Sequence, residues 1–233
     1  MAPVLFGKEH LLYIIISTIL GSLLITLSLK FCKTEKTKNI ILKIVGTCLF
    51  ISIMTNRLSQ VFRYDTVRWY TIIPDSYCGM TSLLLSLAVM FGKRNNPVLH
   101  FVWLLGLFGG ISTVIYATFV GQGPTIFYLP TISGLVHHSF SAILVILLLL
   151  FKQIDITYKK WYYSLFGFTC YLTLGAFLMH TFKMSDAFHI SEPLISDTPL
   201  TTWVMAPMYA VGYGSILLII EVIRKRKLVK NYK

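Results

Sequence analysis

Long apolar stretches separated by short polar clusters set the pattern of this chain. Apolar residues run with few interruptions over about 11–31, 40–56, 77–92, 98–120, 127–151, 161–182 and 202–223. A helix rises 1.5 Å per residue and needs roughly 20 apolar residues to cross about 30 Å of hydrocarbon. The pattern therefore predicts seven membrane-spanning helices, the second and third of them short. Helices are the expected form because backbone groups in lipid must find partners within their own segment. The stretch NRLSQVFRYDTVRWYTIIPDSY (56–77) is polar and aromatic and suits an interfacial connection with a short surface helix. KMSDAFHISEPLISDTPL (183–200), with two prolines, reads as a second ordered loop. No internal repeat or low-complexity segment interrupts the series. The expectation is an all-α polytopic bundle forming a single transmembrane domain over 1–233.

Composition agrees with that reading. The chain is 55% hydrophobic and only 13% charged, against about a quarter charged in soluble domains, and its mean hydropathy is +0.71. A net charge of +12 raises the question of nucleic acid. The positive residues are not interleaved with exposed aromatics, however; they cluster between apolar runs, which is a topology signal and argues against a nucleic-acid partner. With seven spans, Lys8, Arg57, Arg63, Arg68 and Lys183 fall on one side, and the other sixteen of the 21 lysines and arginines fall on the other. Positive charge stays cytoplasmic, so the N-terminus is expected outside and the C-terminus inside. The basic tail then lies at the anionic inner leaflet as a topological anchor. The first apolar run follows a single lysine and lacks a small-residue cleavage site, so it reads as a retained helix. A multi-pass protein of the cell membrane is the expected setting.

The four cysteines (Cys32, Cys48, Cys78, Cys170) contain no CxxC and no paired spacing, so neither a disulfide framework nor a zinc site is indicated. Three read as small packing residues inside or at the ends of apolar runs. Cys78 differs, because PDSY precedes it and an apolar run follows. On the charge-derived topology it lies at the outer end of the third span. His137 and His138 fall one to three turns below the same surface on the fifth, and Arg57, Arg63, Asp65, Asp75, His180, Asp186 and His189 belong to that side too. Ionisable groups at membrane depth are costly and mark functional sites. A thiol and an imidazole together suit nucleophilic acyl transfer, in which the histidine takes the thiol proton and later assists the acceptor. A helix N-terminus would further favour the thiolate. The alternatives are a packing cysteine and a metal-binding histidine pair, although adjacent ligands on one helix chelate poorly and no carboxylate accompanies them. Adjacent positions point about 100° apart, so only one histidine would face the thiol.

Three segments then carry a resemblance. IIPDSYCGMTSLLLSLAVMF, LLGLFGGISTVIYATF and LVHHSFSAILVILLLLF resemble the YwaF-type integral membrane acyltransferase family, relatives of the vertebrate plasmalogen-forming phospholipid transacylase. Pro74 and Cys78 match the family's entrance to one span, Trp103, Gly106 and Gly109 the span after it, and His137–His138 a later histidine motif. Trp203, Pro207 and Tyr209 resemble its aromatic-proline-tyrosine ending. The likeness runs from the second span onward. It implies a transacylase with Cys78 as acyl acceptor, one of the two histidines as base, and no cofactor or metal. His138, followed by Ser139 and Phe140, fits the family's histidine ahead of a small residue better than His137. The implied donor is a glycerophospholipid, and the acceptor a lyso-lipid or a lipoprotein amine. Arg57 or Arg63 would hold a phosphate, whose geometry guanidinium matches, and Asp186 or Glu192 would orient the histidine. A substrate-binding subunit of a vitamin or small-molecule transporter is the alternative. The first span, LLYIIISTILGSLLITLSL, lacks the alanine ladder such subunits use to dock a partner. A receptor-like seven-helix protein without chemistry is the third reading.

Overall fold

The computed structural model describes residues 5–62, 67–120, 123 and 125–231. Among them are seven α-helices and no strand: α1 (Lys8–Phe31), α2 (Glu35–Val61), α3 (Tyr77–Met90), α4 (Pro97–Ile115), α5 (Leu129–Leu150), α6 (Tyr162–Phe182) and α7 (Thr202–Asn231). Six are long and apolar enough to cross a membrane, and α3 is a shorter apolar helix. The all-α polytopic expectation holds, and the surface helix expected between α2 and α3 is a 3₁₀ turn at Trp69–Ile72.

Element boundaries follow local chemistry more than hydropathy. α2 starts ahead of its apolar run because Thr34 and Thr37 form a reciprocal capping box, satisfying two amides that have no partner inside the helix. Pro97 opens α4 and Pro130 lies in the first turn of α5, where no helical N–H bond is lost and the fixed φ is helical. α4 stops at Ile115, five residues before the apolar run ends, and the chain turns into a 3₁₀ segment at Ala117–Phe119.

The chain gathers into two compact units, one of Met1–Asn96 and Val102–Gln153, the other of Pro97–Phe101 and Ile154–Lys233. In the first, α2 packs chiefly on α5 and α3, burying Leu49, Ile53, Leu85, Leu135 and Leu144. Lipid tails are as apolar as leucine, so close approach of small residues holds such helices together. Gly46 faces Val89 and the Ser86 carbonyl, Gly106 faces Ser141, and Gly110 lies against the backbone of His138. Ion pairs fix both ends. Arg57 near the end of α2 meets Asp75 at 3.1 Å, and Glu35 at its start meets Arg94 at 3.6 Å. The chain from Asp75 to Arg94 therefore runs antiparallel along α2, whose 22-residue interval from Glu35 to Arg57 spans about 33 Å. With its flanks, α3 covers the same depth although the helix has 14 residues.

In the second unit α6 and α7 are antiparallel. Asp155, ahead of α6, lies 3.8 Å from Arg224 near the end of α7. The Thr202 hydroxyl donates to the Phe188 carbonyl where α7 begins. Phe101 packs edge-on against Phe168 and Tyr171, with ring centroids 5.7 and 4.9 Å away. Gly167 makes room for that ring, since a Cβ there would come within 2.2 Å of it. Cys170, expected as a packing residue, is exposed, and Cys32 and Cys48 are partly buried. A membrane exterior is itself apolar, so a small apolar residue has no need to turn inward.

Candidate functional site

Cys78 is the second residue of α3, and the Ser76 hydroxyl caps that helix by accepting the Gly79 N–H at 3.3 Å. Cys78 as a residue is partly buried, and its thiol sits in the first turn, where the helix dipole favours negative charge. Its sulfur rests on α4 at Gly109: a Cβ at that glycine would lie 3.1 Å from Sγ, with nothing else within 4 Å. The hydroxyl of Thr113, one turn along α4 and fully buried, is hydrogen-bonded to the thiol. A side chain at position 109 would displace the sulfur; glycine admits it.

The two histidines lie about 12 and 14 Å along α5 from its start at Leu129, and both are buried. Their rings are 4.2 Å apart and inclined by 31°, yet they make different contacts. His138 is hydrogen-bonded to the Gly109 backbone. The Gly109 N–H is committed within α4, so a ring N–H donates and the carbonyl accepts. That bond fixes the tautomer and leaves the other ring nitrogen with its lone pair, the form a base needs. His137 Nδ1 instead lies 3.2 Å from Ser82 Oγ, and Ser82 stands one turn after Cys78 on α3. Gly109 thus touches both the Cys78 sulfur and the His138 ring, and His137, beside His138 on α5, reaches Ser82 of α3.

Arg57 is buried and spends its donors on the segment that leads to Cys78. Its Nε donates to the Thr71 carbonyl at 2.8 Å, and one terminal nitrogen reaches the Ile73 carbonyl at 3.4 Å and Asp75 at 3.1 Å. The Nε and Nη2 donors of the guanidinium offered to a phosphate on sequence grounds are thus turned to protein. Neighbouring Asn56 ties α2 to α5, donating to the Pro130 carbonyl at 3.0 Å and to Ser133 Oγ at 3.1 Å. Arg63 lies outside the described residues. In the second unit, Asp186 accepts the Ser191 N–H at 2.9 Å and faces His189 at 3.8 Å, while Glu192 is exposed. Among the described residues no group of three or more His, Cys, Asp or Glu side chains is placed to hold a metal ion.

Sequence reasoning missed Ser82 and Thr113. Each stands four residues after a flagged position, Ser82 after Cys78 and Thr113 after Gly109, so helical periodicity was the signal that could have found them.

No curated protein and no solved structure matches the chain. A family model described as the TMEM164 family matches residues 5–223, nearly the whole length. With its apolar helices and this match, the chain is a multi-pass membrane protein and belongs to the TMEM164 family.

Proposed function

We propose that this protein is a lipid transacylase of the cell membrane that carries a fatty acyl group on Cys78. The observation that supports this most is the shared contact at Gly109, on which the Cys78 sulfur and the His138 ring both converge. The family match agrees with the resemblance read from the sequence, and the sixteen-to-five charge distribution supports an outer-leaflet position for this end of the bundle.

The chemistry balances without a cofactor. His138 takes the thiol proton, and the thiolate adds to an ester carbonyl of a glycerophospholipid. The ester C–O bond breaks, and the departing lyso-phospholipid oxygen receives the proton from the imidazolium. An acyl thioester remains on Cys78. In the second half, His138 takes a proton from the hydroxyl of a lyso-lipid or the amine of a lipoprotein. That oxygen or nitrogen adds to the thioester carbonyl, the C–S bond breaks, and the thiolate regains its proton. Thioester formation divides one difficult transfer into two easier steps. In this reading Thr113 donates to the thiolate, Ser82 and His137 hold the imidazole face, and Arg57 fixes the approach to α3.

The test is transfer of a labelled acyl chain from phospholipid to added lyso-lipid by the purified protein. The wild type is expected to transfer label, and Cys78→Ser to transfer none while remaining folded. Equal transfer by Cys78→Ser would overturn the proposal.

A further inference from the structure

A groove of about 320 Å³ lies between α1, α4 and α5 of the first unit. Its long walls are apolar, with Ile14 and Ile25 from α1, Ile111 from α4, and Ile143 and Ile146 from α5, and no ionisable side chain lines it. Gly21 opens its middle: a Cβ there would meet only the end of the Ile143 side chain, at 3.1 Å. One end of the groove lies beside the candidate site along the chain, where Ser139, which follows His138, lines it; Ser17, Thr18 and Ser22 add hydroxyls along α1. Gly110, whose Cα lies against the His138 carbonyl, forms the adjoining wall. Two hydrogen bonds pin α1 over that end. His10 Nε2 donates to the Val114 carbonyl at 2.9 Å, and the Tyr13 hydroxyl meets Ser139 Oγ at 2.8 Å.

The groove therefore has a hydroxyl at the depth of His138, carries Ser17, Thr18 and Ser22 along its α1 wall, and is otherwise lined by hydrocarbon. From Ile14 to Ile25 it follows eleven residues of α1, about 16 Å. That is half of the roughly 30 Å hydrocarbon core, the length of an acyl chain in one leaflet. A hydroxyl beside the candidate site, a mainly apolar trough of acyl-chain length and no charged lining describe the seat of a single fatty acyl chain.

We propose that this groove holds one hydrocarbon chain of the phospholipid substrate, its ester end level with His138 and its methyl end toward Ile25 and Ile146. That the lipid is a substrate rests on the transacylase reading; its binding can be measured without any chemistry. The full-length Cys78→Ser protein is reconstituted in phosphatidylcholine vesicles containing a phosphatidylcholine with a mid-chain diazirine, irradiated, and mapped by peptide mass. Label is expected to concentrate on residues 14–25 and 139–146. It is expected to fall about fivefold or more when Gly21→Leu or Ser17→Leu fills the trough, since apolar pockets discriminate by roughly 10–200-fold per group. Leucine is a better helix former than glycine, so Gly21→Leu keeps α1 intact. With Cys78 present, Gly21→Leu should raise the phospholipid concentration for half-maximal acyl loading about tenfold and leave the maximal rate within about twofold, the signature of lost uniform binding. Label spread evenly over lipid-facing positions of all helices and unchanged by Gly21→Leu would overturn the proposal, because it describes annular lipid. Groove labelling in a protein that never loads acyl would support the groove and contradict the transacylase.

Discussion

Replacing Gly109 by alanine perturbs the candidate site through one methyl group. Its Cβ would stand 3.1 Å from the Cys78 sulfur and touch nothing else within 4 Å, a contact too close by several tenths of an ångström, so the thiol must move. The helix itself gains, because alanine is favoured over glycine by about 1 kcal/mol in a helix interior. Relieving the contact costs about as much, at the low end of the 1–3 kcal/mol range for overpacking. The expected net change in stability is therefore near zero. The chemistry is less tolerant, since a displacement of about 1 Å in a reacting group costs on the order of 10²-fold, and a smaller shift should cost about tenfold or more. Two neighbouring glycines serve as controls. At Gly106 a Cβ would meet Ser141 Oγ at 3.0 Å and the ends of Val145 and Leu85 at 3.2 and 3.3 Å, damaging packing away from the sulfur. At Gly110 it would stand 2.7 Å from the His138 carbonyl oxygen and 3.0 Å from the Ala142 nitrogen. Backbone cannot step aside, so Gly110→Ala should be the least stable of the three, by about 3 kcal/mol. Thermal unfolding in detergent and single-turnover acyl loading of Cys78 measure the two effects separately. Gly109→Ala should melt with the wild type and load about tenfold or more slowly. Wild-type loading by Gly109→Ala would refute the idea that this contact positions the thiol.

His138→Ala should slow loading by roughly 10²–10⁴-fold, the usual worth of a general base, and His137→Ala by less; loading that survives the first and collapses in the second would reverse the roles. Arg57→Ala removes two bonds to carbonyls and the Asp75 pair; with Asp75 partly exposed, the loss should be about 2 kcal/mol, read as a lowered unfolding temperature, and an unchanged one would show that α2 does not fix this segment. Cysteine labelling from either side of sealed vesicles should find Lys8→Cys outside and Arg226→Cys inside; an internal Lys8→Cys would remove the outer-leaflet assignment.

The helices were legible because a membrane imposes one pattern on every crossing. Where that pattern met local chemistry it lost detail: the Thr34–Thr37 cap lengthens α2, and α4 ends at Ile115 inside an apolar run. The shortness of α3 was legible, while its antiparallel course rests on Arg57–Asp75 and Arg94–Glu35, pairs 18 and 59 positions apart that no local pattern predicts. At the site, Cys78, His137 and His138 stood out as polar groups at membrane depth. Gly109 emerged only through resemblance, since a glycine in a helix has many explanations until its neighbour is known. At Arg57 residue type alone suggested a phosphate; the bonds of its Nε and Nη2 to the Thr71 and Ile73 carbonyls, where the chain bends toward α3, depend on a fold that residue type does not encode.

The intact mass of the detergent-purified protein after brief exposure to excess phospholipid tests the central claim most directly. A Cys78 thioester predicts added mass equal to one fatty acyl group, removed by neutral hydroxylamine, absent from Cys78→Ser and retained in Cys32→Ser, Cys48→Ser and Cys170→Ser. Unmodified wild-type mass under conditions in which labelled acyl is transferred, or an adduct that persists in Cys78→Ser, would contradict it.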